Sequence, residues 1–131
     1  MARRTNNPVV LVVEDDPPVR ELLEDVLDEI DFEVVAVHDG SAALQVIRSL
    51  RVDLITLDLD LPGLTGSELL QVIHERVRAV PPVIIITSGA PISRELQAQA
   101  QAVVTKPFDV DDLIGIIREL LHRDSGRAGR L

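Results

Sequence analysis

Five short runs rich in β-branched and aliphatic residues recur along the chain, and each but the last is separated from the next by a segment with helical periodicity. The first, Val9-Val10-Leu11-Val12-Val13, has no polar alternation at all. Such a run suits a strand covered on both faces, as in a parallel sheet, and not a half-solvated antiparallel one. The others are Glu33 to Val37, Asp53 to Leu57, Val83 to Ile86 (the most apolar, and the best candidate for a central strand) and Ala102 to Val104. Between the first two, Val19, Leu22, Leu23, Val26, Leu27 and Ile30 follow helical spacing behind Asp16-Pro17-Pro18, a helix start with Asp as cap and Pro in the first turn. Ser41 is placed to cap a second helix. Residues 67–77 predict a third, stopped by Pro81-Pro82, and residues 93–100 a weaker fourth. Asp109 caps a fifth over residues 110–122, with Asp112 in the acceptor position of a capping box. Five strand–helix alternations predict an α/β fold with a parallel sheet and helices on both faces.

At 131 residues the chain fits one domain, assigned to residues 8–122, with a short extension at 1–7 and a polar, flexible tail at 123–131. It has no cysteine, which excludes disulfides and thiolate metal sites. His38, His74 and His122 are too scattered for a ligand pattern and read as surface residues. A net charge of −9 repels phosphate backbones, and 2% aromatic residues leave no stacking platform, so direct nucleic-acid binding is disfavoured. The first apolar run is broken at once by Glu14-Asp15-Asp16. It is too short for a signal-peptide core or a membrane span, and a cytoplasmic protein is the expectation.

In open α/β sheets, ligands bind beyond the carboxyl ends of the strands. Those ends deliver Glu14, Asp15 and Asp16 from the first strand, Asp58 and Asp60 from the third, Thr87 and Ser88 from the fourth, and Lys106 from the fifth. If the first and third strands are neighbours, three or more carboxylates converge. Two like charges about 4 Å apart repel by roughly 4 kcal/mol at an effective dielectric of 20. Such a cluster must protonate or hold a cation. Oxygen donors without His or Cys favour Mg²⁺ or Mn²⁺. A carboxylate beside such an ion can attack phosphorus.

The motifs at these strand ends resemble those of response-regulator receiver domains, the chemotaxis-regulator-like switches of two-component signalling. Val12-Val13-Glu14-Asp15-Asp16 is similar to their acidic first-strand motif. Asp58 with Pro62 four and Gly66 eight positions on resembles their phosphoacceptor segment, Ile84-Ile85-Ile86-Thr87-Ser88 their switch-hydroxyl strand, and Thr105-Lys106-Pro107-Phe108 their Lys-Pro signature. The resemblance covers about residues 8 to 122. It implies a flavodoxin-like, doubly wound (β/α)5 sheet of strand order 2-1-3-4-5. It makes Asp58 the phosphoacceptor, Asp15 and Asp58 direct Mg²⁺ ligands, the Asp60 carbonyl a further ligand, and Glu14 a ligand through water. Thr87 and Lys106 would contact the phosphoryl group. The implied partners are a sensor histidine kinase or phosphotransfer protein and a downstream protein, with no external substrate turned over. Three positions depart from the family pattern. Val103 stands where an aromatic residue is usual, the span from Thr87 to Lys106 is short, and Ala100-Gln101-Ala102 replaces a Gly-Ala turn. Thr87 and the shortened loop are left to carry any switch.

Blander readings stand beside these. Asp16 is more simply a cap, and Lys106 or Thr87 alone would pass for a turn lysine and a core threonine. Asp58-Leu59-Asp60 also satisfies the Asp-x-Asp motif of haloacid dehalogenase-like phosphatases, with Asp58 as nucleophile and Asp60 as acid. That motif normally ends a first strand, and no later metal motif accompanies it here. A phosphorylation-independent adaptor on the same fold is the other alternative, whereas a flavin phosphate would be repelled by the acidic first loop. The last helix is apolar over a wide arc, from Val110 to Leu121. The excess serves either a partner or homodimer surface through residues 93–122 or contact with the fourth helix. Gly115 within it suggests close packing.

Overall fold

A computed structural model describes residues 7–129. Strands β1 (Val9–Val13), β2 (Glu33–Val37), β3 (Leu54–Asp58), β4 (Val83–Thr87) and β5 (Ala102–Thr105) alternate with helices α1 (Pro17–Glu29), α2 (Gly40–Ser49), α3 (Gly66–Arg76), α4 (Arg94–Ala98) and α5 (Val110–Gly129). All strands are parallel, in the order β2-β1-β3-β4-β5. The three inner strands β1, β3 and β4 are buried along their whole length, as their unbroken apolar runs require. Edge strands β2 and β5 are partly exposed.

Alternate residues of each strand feed two cores. Val10, Val12, Leu54, Ile84 and Ile86 meet Leu23 and Leu27 of α1 and Leu113 and Ile117 of α5 on one face. Leu11, Val13, Ile55, Leu57 and Ile85 meet Ala43 of α2 and Leu69, Leu70 and Ile73 of α3 on the other. Leu96 of α4 packs into this second core. The fourth helix therefore lies across the sheet from α5 and does not cover its apolar excess, of which Ile114 and Ile116 stay half-buried.

Helix ends depart from the sequence expectations in several places, each for a local reason. Asp16 is the N-cap of α1 but its side chain makes no cap hydrogen bond. For α2 the cap is Asp39, whose carboxylate accepts from the Ala42 amide at 2.8 Å, and not Ser41. A capping box between Thr65 and Glu68 starts α3 at Gly66. That helix stops at Arg76, ahead of the prolines, with Val77 as its C-cap, and the Pro82 carbonyl joins the sheet by accepting from the Ile55 amide at 2.9 Å. Only Arg94–Ala98 of the fourth segment is helical, with no buried residue to anchor it. Asp109 does cap α5, its Oδ1 accepting from the amides of Asp111 and Asp112. The helix continues past His122 to Gly129, where a flexible tail was expected. The extension at 1–7 lies outside the described residues apart from Asn7.

Gly115 is on the exposed side of α5, with nothing within 4 Å of where a Cβ would stand, so it serves no close packing. Glycine in an exposed helix interior costs about 1 kcal/mol relative to alanine. Gly115→Ala should accordingly stabilise the protein by about that amount in chemical or thermal unfolding. A destabilised variant would mean that α5 bends or is approached by backbone at that position.

Candidate functional site

Strand register assembles the site. Val13 is paired with Leu57, so Glu14 and Asp58, each the next residue along, emerge side by side from β1 and β3. Asp58 is paired with Ile86, which brings Thr87 up beside it, and Thr87 is paired with Thr105, which brings up Lys106. Backbone bonds carry the ladder into the loops. The Glu14 amide donates to the Val37 carbonyl at 3.0 Å, the Leu59 amide to Ile86 at 3.1 Å and the Lys106 amide to Thr87 at 2.8 Å. Gly66 lets the α3 start fold against this edge, since a Cβ there would sit 2.6 Å from the Asp58 carbonyl oxygen.

At the centre are two buried carboxylates and one ammonium. Glu14 is 1% and Asp58 2% exposed. The Lys106 Nζ lies 3.1 and 3.2 Å from the two Glu14 carboxylate oxygens and 3.3 Å from Asp58 Oδ2. Asp58 Oδ1 accepts from the Asp60 amide at 2.9 Å, and Glu14 Oε2 from the Asp16 amide at 3.1 Å. Glu14 Oε1, although near the ammonium, is buried and accepts no hydrogen bond. Burial pushes the Glu14 carboxyl up to about 7. A hydrogen bond with Asp58 and that group's charge add to the rise, while the Asp16 amide and Lys106 oppose it. Burial alone would lower the Lys106 ammonium, but the Glu14 and Asp58 carboxylates outweigh it and hold it above the ordinary lysine value.

The remaining expected residues stand around this trio. Thr87 is buried at the end of β4, and its hydroxyl oxygen accepts a long bond from the Gly89 amide at 3.4 Å. Asp15 and Asp60 are exposed at the rim. The expected convergence of three or more carboxylates is thus corrected to two, with no ready-made group of three metal-ligating side chains among the described residues. The donor set still suits a small hard cation. Mg²⁺ takes one or two carboxylates and keeps several waters, so a cage is not needed. Two features drew no attention in the sequence. Arg20, six residues beyond Glu14, donates to the Glu14 and Asp15 carbonyls at 3.0 and 3.3 Å. Beside Lys106, a mostly apolar groove of about 360 Å³ is lined by Val19, Leu22, Ser88, Pro107 and Phe108, with Leu22 46% exposed. A large exposed leucine at a helix position that fits the apolar period gives no sequence signal of its exposure. His38, His74 and His122 are all exposed.

A five-stranded parallel sheet of order β2-β1-β3-β4-β5 with paired acids at its carboxyl edge and a lysine across from them defines a flavodoxin-like, doubly wound α/β class with a charged site at that edge. The response regulator receiver domain model matches residues 10–118, and the chain belongs to that family. The DNA-binding response regulator MtrA of Mycolicibacterium smegmatis is 36% identical over 118 residues, covering 88% of this chain and 51% of MtrA. The chain thus spans about half the length of that relative. Among solved structures, the receiver domain of the Francisella response regulator 1452 matches with a TM-score of 0.81 at 30% identity, covering 90% of this chain and 99% of that one. The Thermotoga maritima response regulator TrrA, solved in complex with Mg(2+)-BeF, matches with a TM-score of 0.78 at 31% identity, covering 86% and 98%. TrrA has also been solved in complex with the histidine kinase ThkA. No described helix is long and apolar enough to cross a membrane.

The Glu14 shift has a measurable consequence in cation-free buffer. Its folded value lies above the ordinary carboxylate value, so the folded state holds the proton more tightly. The stability this contributes is complete below pH 4.5 and is lost as pH rises through about 7. One pKa unit corresponds to about 1.4 kcal/mol, so the change is on the order of 3 kcal/mol. Denaturant titrations across this range should show the advantage of the parent over Glu14→Gln shrinking as pH rises. A pH-independent difference would place Glu14 in an ordinary environment.

Proposed function

We propose that this receiver domain is a phosphorylation-dependent switch that takes a phosphoryl group onto Asp58 from the phosphohistidine of a sensor kinase or phosphotransfer protein. The observation that carries this is the Lys106 ammonium held between the buried Glu14 and Asp58 carboxylates at a parallel-sheet edge. An Asp58 oxygen attacks phosphorus, the P–N bond to imidazole breaks, and an acyl phosphate forms. Water later attacks phosphorus, releasing phosphate and restoring the carboxylate.

Phosphoryl transfer demands chiefly positioning and neutralisation of charge. Asp15 and Asp58, with the Asp60 carbonyl and Glu14 through water, are the residues that would hold Mg²⁺, or Mn²⁺ in its place. When bound, that ion supplies positive charge to the phosphoryl oxygens. Lys106, already 3.3 Å from Asp58 Oδ2, supplies it from the other side. The Thr87 hydroxyl hydrogen donates to a phosphoryl oxygen, a role that its oxygen's acceptor contact with the Gly89 amide leaves open. The Mg(2+)-BeF complex of TrrA supports the cation requirement, and the ThkA–TrrA complex supports a kinase as donor. The mostly apolar groove beside Lys106 gives such a donor a landing surface next to the site.

Output is assigned to residues 93–122, toward a downstream protein or a second copy of the chain. Val103 on edge strand β5 is 42% exposed there, and the half-buried Ile114 and Ile116 lie on α5. A net charge of −9 argues against direct contact with nucleic acid by this domain. The DNA binding in the name of MtrA belongs to a protein about twice as long.

Incubation with a small acyl-phosphate donor and Mg²⁺ should give one labile phosphoryl adduct by intact mass, absent from Asp58→Asn and absent when the cation is chelated. Steady turnover of a phosphomonoester, abolished in Asp60→Asn, would point instead to the phosphatase reading. An unmodified parent would leave a phosphorylation-independent adaptor.

A further inference from the structure

Arg20 sits on the first turns of α1, half-buried and close to the most acidic loop in the chain. An arginine there would ordinarily pair with a carboxylate, and Glu14, Asp15 and Asp16 are all near in sequence. It does not. Its Nη1 donates instead to the backbone carbonyls of Glu14 at 3.0 Å and Asp15 at 3.3 Å. The Arg20 amide meanwhile donates to the Asp16 carbonyl at 2.9 Å. One side chain and its own backbone therefore tie all three carbonyls of the loop to α1. The carboxylates of the loop are left to face the sheet edge (Glu14) and solvent (Asp15).

Resting on the proposed cation role of Glu14 and Asp15, we infer that Arg20 is a positioning residue for the cation site, fixing the loop backbone so that these two carboxylates are presented in advance. The guanidinium is suited to this because the one nitrogen that meets both carbonyls, Nη1, holds its two hydrogens in fixed, coplanar directions, whereas the three hydrogens of an ammonium rotate freely. Groups that orient metal ligands typically alter affinity by tenfold or more when removed.

Charge alone predicts the opposite of positioning, which makes the inference decidable. Removing a positive group from the neighbourhood of a cation should tighten cation binding by Coulomb's law. Loss of a backbone tie should weaken it. Mg²⁺ is titrated calorimetrically into the full chain and into Arg20→Gln and Arg20→Lys, with amide hydrogen exchange at Asp15 and Asp16 followed in the cation-free proteins. The expected result is binding about tenfold weaker in Arg20→Gln, with faster exchange at those two amides and a smaller loss in Arg20→Lys. Equal or tighter binding in Arg20→Gln overturns the inference. If Arg20→Gln does not fold, Arg20→Lys decides, weaker binding than the parent supporting the role and equal binding overturning it. A parent that takes up no Mg²⁺ removes the cation reading itself, a failure separate from a parent that binds and a variant that binds as well.

Discussion

Two carboxylates drawn from adjacent strands into one buried corner cannot both stay charged on equal terms, and most of this site follows from how that conflict is relieved. Glu14 and Asp58 share a single ammonium, Lys106, which reaches both. With Glu14 protonated, the trio is neutral. Once pH passes about 7, Glu14 gives up its proton and the trio carries a net negative charge, with Asp15 adding another at the rim. On the proposed reading, a divalent cation would take the place of that proton. It would then offset the charge of a phosphoryl group placed beside Asp58.

The sheet makes this corner unavoidable. With β1 and β3 in register, the residues that follow Val13 and Leu57 must be neighbours. Their burial is accommodated by largely apolar inner strands, most residues of which are packed from one side or the other by helices. Glu14, Asp58, Thr87 and Lys106 each stand at or just past a strand terminus, where the ladder's last hydrogen bonds fix the backbone and leave the side chain free to respond. Response is then expected at the weakest neighbouring element. That is the segment from Ser88 to Gln101, whose helix α4 has only Arg94–Ala98 and no buried residue.

Strand positions and the placement of Glu14, Asp58, Thr87 and Lys106 at the carboxyl edge of the sheet were legible in the sequence because both depend on local pattern. Unbroken β-branched runs specify buried strands, and chemistry-bearing residues directly after them must lie at the sheet edge. Helix ends were less legible. Asp39 outcompeted Ser41 as a cap because its carboxylate reaches the Ala42 amide, and Pro82 served the sheet through its carbonyl and did not terminate α3. Gly115 misled because glycine signals either close packing or nothing, and only the surroundings distinguish them. Asp15 was grouped with Glu14 by adjacency, but successive residues leaving a strand diverge, and one is buried while the other is exposed. The role of Arg20 depends on carbonyl directions in a loop, which no residue pattern encodes.

The most direct measurement is calorimetric titration of the cation-free protein with Mg²⁺ near pH 6.5, repeated in buffers of different ionisation enthalpy. The account predicts saturable binding with net release of protons, arising from Glu14 and lost in Glu14→Gln. Binding with no proton release, or no binding at all, would contradict the claim that the cation relieves the crowding of these two carboxylates.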